Sequence, residues 1–546
     1  MLLTVLIVMP LLGALPLFIA RDRNAREIKV WAFLASFATF IFSLKLWEDF
    51  EATGNTFQFV ETHKWIEIAG LNINYNLGID GVSLMLVLLT TFITPIAILG
   101  AWNYIHDRQK EFYIALLLLE TAMIGVFAAT DLFLFYVFFE ASLIPMYLII
   151  GIWGGDEKIY ATTKFIIYTA FGSLLMFIAI LFVYYKTGAT DFSIAGLTEK
   201  LSAARITDHG GNIVLTRRAE FWCFWAFALA FAIKVPLFPV HTWLPDAHVQ
   251  APTPGSVILA SILLKMGGYG FYRIVMPFFP IATDQYSTHW VTAFHWPFTL
   301  VVPPVLISLC LIGIIYGSMM AFAQKDIKKL IAYSSVAHMG MCMLGIFSMQ
   351  KAGIYGGVYQ MLNHGVSTGA LFLLVGMLYE RTHTREIAYF SGISKIVPIY
   401  SVFFMIVTLS SIGLPLTNGF VGEFSCLLGA FNSNPWYGFW GATGVVLGAV
   451  YMLYMVKRVF FGRVVRESNK HLPDLSGREV AVLMPLIVMI FFMGVQPETF
   501  FSRIKPSVDA FVLQTTPPPA PPLQREGSRT ALSAIGHGSA FEESGN

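Results

Sequence analysis

Charge is the scarcest property of this 546-residue sequence, with Asp, Glu, Lys and Arg together making up 12%, against about 25% in a soluble domain. Hydrophobic residues account for 56%. A water-soluble protein of this size could not cover that much apolar surface, and the deficit disappears if lipid is the solvent. The net charge is only +2, with no basic tract and no stacking motif, which argues against nucleic acid as a partner. Cysteine is equally sparse. Cys223, Cys310, Cys342 and Cys426 lie far apart inside apolar runs, without a CxxC pair. An iron–sulfur or zinc centre held by this chain alone is therefore disfavoured, and the four read as small buried hydrophobes. A Walker A loop and a dinucleotide fingerprint are missing, as are the ten-residue alternating segments of an outer-membrane barrel.

What the sequence has in abundance is long apolar runs. About 20 residues cross the hydrocarbon core as a helix. Fourteen stretches meet that test, near residues 2–20, 29–47, 82–105, 112–129, 131–152, 160–185, 219–248, 253–277, 299–323, 329–349, 354–379, 395–433, 436–461 and 479–497. The first could pass for a signal peptide, but no basic region precedes it and many equivalent spans follow. The stretches 219–248 and 395–433 are too long for one straight helix and contain breakers. The expected fold is an all-α polytopic membrane protein of about fourteen transmembrane helices, two of them broken. Residues 1–110 would hold three N-terminal helices, 111–280 and 298–462 two halves each built around a broken helix, and 463–512 a last helix. The tail 513–546, rich in Pro and then Gly and Ser, is expected to be disordered.

Lys and Arg favour cytoplasmic loops. Twenty basic residues fall on one side: Arg21, Arg23, Arg26, Lys29, Arg108, Lys110, Lys158, Lys164, Lys325, Lys328, Lys329, Arg381, Arg385, Lys395, Lys457, Arg458, Arg463, Arg466, Lys470 and Arg478. The opposite short loops contribute Lys45, Lys64, Arg273 and Lys351. The longer loop 186–218 dissents with five, and long loops obey the rule less strictly. Both termini are thereby placed away from the cytoplasm or matrix.

Once the loops and the C-terminal region are assigned, Lys234 and Lys265 remain as basic residues within spans, facing the acidic candidates Glu120, Glu140 and Glu423. A charge at a helix centre costs about 2.5–3.5 kcal/mol on insertion scales, so each needs a partner, water or a function. Lys234 precedes Pro236, Pro239 and Pro245, which should free the carbonyls of Ala232, Val235 and His241. In the second long segment Pro415 should free Ser411, and Gly419, Gly422 and Glu423 follow. Unpaired carbonyls at membrane depth are tolerated where they line a cavity, and two such breaks suggest an inverted repeat. A lysine and a carboxylate beside such breaks suit proton transfer; the plainer alternative is an ion pair that only holds helices together. Gln360, His364, Ser367 and Thr368 share one helix face, and Ser334, Ser335, His338 and Cys342 another. Histidine titrates near neutrality, so these stripes suit a hydrated relay, with hydrogen-bonded helix packing as the alternative. Lys265 has Ser261 one turn before it, and Gly267, Gly268 and Gly270 after it permit close helix approach. His241, Asp246 and His248 are poorly spaced for a metal and read as rim residues.

The run FAIKVPLFPVHTWLPDAHVQAPTPGSVILASILLKMGGYGFYRI, together with KKLIAYSSVAHMG, YQMLNHGVSTGALFLLVGMLYERTHTRE and LPLTNGFVGEF, resembles the antiporter-like subunits of respiratory NADH–quinone oxidoreductase (complex I). The resemblance spans about residues 80–460. Of the three related subunits, one carries glutamate and two carry lysine in the second broken helix, and Glu423 matches the first. The resemblance implies a proton-translocating subunit without cofactors of its own, with quinone, FMN and iron–sulfur clusters in partner chains. It implies that Glu140 and Lys234 form a buried pair, that Lys265 is the central relay, that His338 and His364 continue it, and that Glu423 is terminal. The other membrane subunits, above all the two related ones, would be its partners in a bacterial inner membrane, or the mitochondrial equivalent. A Mrp-type cation/proton antiporter subunit or a membrane-bound hydrogenase subunit is the alternative.

Overall fold

The computed structural model describes residues 1–19, 25–52, 57–68, 71–206, 217–279 and 302–515. With no water in the bilayer core, the apolar runs close their backbone hydrogen bonds internally and become helices. These are α1 (Leu2–Ile19), α2 (Ala25–Asp49), α3 (Gly81–Gly100), α4 (Gln109–Ala128), α5 (Leu132–Ala141), α6 (Leu143–Trp153), α7 (Lys158–Thr187) and α8 (Ile194–Ile206). There follow α9 (Arg217–Lys234), α10 (Trp243–Gln250) and α11 (Thr253–Phe278). The second half holds α12 (Val302–Phe322), α13 (Ile327–Phe347), α14 (Lys351–Thr382), α15 (Pro398–Ser411), α16 (Asn418–Ser433) and α17 (Pro435–Phe460), before α18 (Gly477–Val495) and α19 (Glu498–Thr515).

Among the described residues, twelve helical spans are long and apolar enough to cross a membrane, with α5 and α6 counting as one. The expected count of about fourteen is therefore not reached by continuous helices alone: the stretches near 219–248 and 395–433, expected to be broken, are interrupted pairs of shorter helices. Burial separates an axis from a shell. The apolar windows of α11 and α13 are 94% buried and that of α14 is 100% buried, against 28% for α2 and 33% for α17. A helix hydrophobic all round but buried by protein belongs to the core, and one with exposed apolar faces meets lipid.

Both breaks are observed, and the first differs from expectation in detail. The carbonyl of Ala232 is not free: the N–H of Leu237 donates to it at 2.8 Å, and the Trp243 indole donates to Ile233 O at 2.9 Å. In the second break Gly413 adopts φ 74°, a conformation glycine takes without penalty. A Cβ there would lie 2.7 Å from Glu423 Oε2.

Two further features were not anticipated. β1 (Gln58–Ile68) pairs antiparallel with β2 (Leu71–Ile79), adding a hairpin to a chain expected to be all-helical. Its strands are short and carry polar and charged residues rather than a membrane-length apolar run, so a search for spans passes over it. From β1, Glu61 accepts the Leu3 N–H at 2.8 Å, satisfying an orphan donor at the start of α1. The second feature is α19, which packs Phe500, Ile504 and Phe511 inward and includes residues 513–515 of the tail expected to be disordered. The rest of that tail, from residue 516, lies outside the described residues.

Two basic residues assigned to loops are in fact inside the protein. Lys328, on the first turn of α13, is 5% exposed and donates to Ala251 O at 2.5 Å. Arg273, on α11, lies 2.5 Å from the Asp80 carboxylate, with both side chains largely buried. Asp80 also caps α3 by accepting the Ser83 N–H at 2.9 Å, so the pair ties α11 to α3. Replacing Arg273 with methionine should leave Asp80 buried and unpaired, at a cost of about 3–5 kcal/mol. Less assembled protein in membranes and a lower melting temperature are expected, with partial recovery when Asp80→Asn is added. Wild-type melting of the single variant would show that the pair is not a structural tie.

Candidate functional site

Lys265 owes its position to the irregular winding of α11. Two π-helical turns, Leu259–Leu263 and Phe271–Val275, flank the short α-helical stretch that carries it, and such turns recur at functional sites. Gly267 lets α11 press against the first break, where a Cβ would meet Phe231 O and Val235 N at 2.8 Å. The Lys265 side chain is fully buried. Its Nζ donates to the Ala260 carbonyl and lies 2.7 Å from His364 Nδ1 on α14.

From His364 the polar groups continue to the second break. The His364 and His338 ring centroids are 5.9 Å apart. His338 Nδ1 lies 3.2 Å from Glu423 Oε1, and its Nε2 lies 3.4 Å from Ser411 Oγ. Gln360 Nε2 donates to Glu423 Oε1 at 3.3 Å. Two small cavities share His338 in their walls. One of about 20 Å3 is lined by His338, Ser411, Glu423 and Tyr451 among others. The second, about 10 Å3, reaches His364, Ser367, Thr368 and Ser410. A water needs roughly 10–15 Å3 and two to four polar partners, so each cavity is about water-sized, and the second has both imidazoles in its wall.

Four of the six expected residues, Lys265, His364, His338 and Glu423, are therefore brought into one line. Glu140 and Lys234 stand beside it in a different arrangement. Lys234, the last residue of α9, is 1% exposed, and its Nζ sits 4.9 Å from the Phe139 ring centroid. Glu140 is half-buried at the end of α5, and no ion pair within 4.0 Å joins it to Lys234. The pair stands open here, with the ammonium over the aromatic face. Glu120 is fully buried on α4 and is part of neither group.

Sequence reading missed several members of this network. Asn418 Oδ1 accepts from Ser410 Oγ at 2.6 Å, and Asn363 Nδ2 donates to Asn418 O at 2.7 Å, pinning α16 to α14 and α15. Asn363 and Asn418 sit in the same motifs as His364 and Glu423, so polarity inside an apolar run was the available signal. For Lys328 there was none, since KDIKKL reads as an ordinary loop. Of the three residues weighed for a metal, Asp246 is engaged by Lys164 at 2.7 Å, and His248 stacks on Phe372 at 4.6 Å. Among the described residues, no three His, Cys, Asp or Glu side chains gather as a metal site.

This arrangement can be set against known proteins. Residues 129–448 match a family described as NADH:quinone oxidoreductase/Mrp antiporter, TM, and residues 2–126 match NADH-ubiquinone oxidoreductase chain 4, amino terminus. NADH-quinone oxidoreductase subunit M of Rhodobacter capsulatus is 46% identical over 489 residues, 90% of each chain. NADH-ubiquinone oxidoreductase chain 4 of Marchantia polymorpha is 43% identical, over 93% of this chain and 96% of that one. A chain of respiratory complex I from Thermus thermophilus superposes with a TM-score of 0.82 at 31% identity, covering 95% of this chain and all of that one. An archaeal membrane-bound sulfane sulfur reductase shares the fold, with a TM-score of 0.76 at 21% identity over 91% of this chain and 76% of that one. The residues at the two breaks, the buried line between them and these likenesses agree, and the chain belongs to the subunit M (chain 4) family of antiporter-like membrane subunits of NADH:quinone oxidoreductase.

Proposed function

We propose that this chain carries protons across the membrane through Lys265, His364, His338 and Glu423, driven by quinone reduction elsewhere in the complex. The observation that carries the reading is the line of polar side chains between a buried lysine and a buried carboxylate, with contacts of 2.7 Å at one end and 3.2 Å at the other and the two imidazoles 5.9 Å apart between them. Each histidine has two ring nitrogens, so it can accept a proton on one side and release it on the other. Glu140 and Lys234 act as the control. Bringing the carboxylate against Lys234, or releasing it, changes the charge felt by Lys265 and with it the proton affinity of the groups beyond.

The other subunits of the complex are its partners, and we place the two related antiporter-like subunits next to it in a bacterial inner membrane or its mitochondrial equivalent. Quinone, FMN and iron–sulfur clusters belong in this reading to partner chains. The four cysteines here are buried and free and sit on separate helices, an unsuitable ligand set.

The test is proton uptake by the purified complex in sealed vesicles. NADH oxidation with quinone present should drive it, and an uncoupler should collapse it. Sodium/proton exchange by the same vesicles, with no NADH-dependent uptake, would replace the reading with that of a cation antiporter.

A further inference from the structure

Helices α2, α3, α14, α18 and α19 enclose a cavity of about 340 Å3 that has no place in the proton line. Only Trp47 and Thr499 among its wall residues carry a side-chain nitrogen or oxygen; the rest are Phe, Leu, Met and Val. Close-packed interiors seldom leave a void larger than a water, and this one has the size of a small-molecule site, roughly 300–1,000 Å3. Its flanks reach the outer surface, since Leu44 on α2 is 42% exposed and Phe492 on α18 is 41% exposed. Beside them Ile41, Val488 and Phe491 extend the apolar face. The cavity thus opens sideways onto the hydrocarbon phase.

A cation lies beside one end of the cavity, against its wall residues Trp47 and Thr499. The Arg503 guanidinium stacks 3.7 Å from the Trp47 ring centroid, and Nη1 donates to the carbonyl of Thr499, another wall residue, at 3.3 Å. Its Nε is buried and has no hydrogen-bond partner. The neighbouring Lys505 is taken by Glu498 at 2.7 Å, whereas no carboxylate among the described residues pairs with Arg503. Tryptophan is enriched at the membrane interface, and arginine matches phosphate geometry through its fork of N–H donors.

We propose that this cavity is a binding site for a membrane phospholipid, with an acyl chain between α2, α3 and α18 and the headgroup phosphate on Arg503. The lipid fills the gap between the outer helices and ties α19, through Arg503, to the membrane surface. Zwitterionic and anionic lipids share the phosphate, so both are admitted by the chemistry.

The test uses the whole complex in vesicles containing phosphatidylcholine or phosphatidylglycerol with a photoactivatable acyl chain, and mass spectrometry of the labelled peptides. Label is expected in residues 40–47, 85–92 and 489–500 of the wild type. It should fall about tenfold in Arg503→Gln, which removes a charge-assisted hydrogen bond, and similarly in Met489→Trp, which fills the cavity. Retention of the phosphatidylcholine signal alone, or of both, identifies the headgroup range within the proposal. Label on the outer faces of α2 and α18 but not on Met85 or Leu89 in the wild type would overturn it. So would unchanged labelling in both variants, or labelling of these peptides by a photoactivatable quinone in preference to lipid.

Discussion

Replacing Lys265 with alanine should abolish NADH-driven proton uptake, by ~10²-fold or more if it is the group that hands protons to His364. The Lys265 Nζ contacts the Ala260 carbonyl and His364 Nδ1. When the lysine is charged, Nδ1 must accept; when the lysine has given up its proton, Nδ1 can donate instead. The contact therefore survives in both states, as a transfer step requires. Lys265→Arg separates charge from titration. A guanidinium keeps a positive charge in place but does not release its proton in proteins, so this variant should fail nearly as badly as alanine. Uptake and NADH oxidation in vesicles, with the amount of assembled complex measured alongside, decide the matter. Normal uptake by an assembled Lys265→Arg complex would take this residue off the path.

Glu423→Gln should have an effect of similar size while disturbing the structure least. Glutamine offers one carbonyl oxygen that can still accept from Gln360 Nε2 or His338 Nδ1, the two groups now at 3.3 and 3.2 Å. It also keeps the size and shape of the glutamate side chain beside Gly413, where even an added Cβ would lie 2.7 Å from Oε2. What it lacks is a titrating group that can take up and release a proton. Loss of uptake with assembly intact would separate a proton carrier from a hydrogen-bond anchor. Glu423→Asp keeps the titrating group on a shorter stem and should retain part of the activity. Full pumping by the glutamine variant would confine Glu423 to a packing role.

The legibility of this protein varied with the kind of signal. Spans were readable because the cost of exposing backbone to lipid forces each apolar run into a helix. The breaks were readable because proline and glycine act locally. Buried charges stood out at Lys234, Lys265 and Glu423 because they interrupt apolar runs. The hairpin was not readable by this route, since β1 and β2 carry polar residues and gain their pairing from each other. Lys328 and Arg273 were misplaced because basic residues near helix ends look alike in sequence, whether they point to water or turn inward. Glu140 and Lys234 were expected as a buried pair, and only the side-chain geometry shows Phe139 lying against the ammonium.

By itself the sequence determined the membrane as solvent, the positions of both broken helices and the residues able to hold a proton inside it, because composition and local backbone chemistry need no knowledge of distant contacts. The tertiary structure alone decided which of those residues meet. Lys265 and His364 are 99 positions apart and His338 and Glu423 are 85 apart. Their 2.7 and 3.2 Å contacts depend on how α11, α13, α14 and α16 pack, and side-chain contacts between helices that far apart in sequence follow from packing rather than from any local pattern.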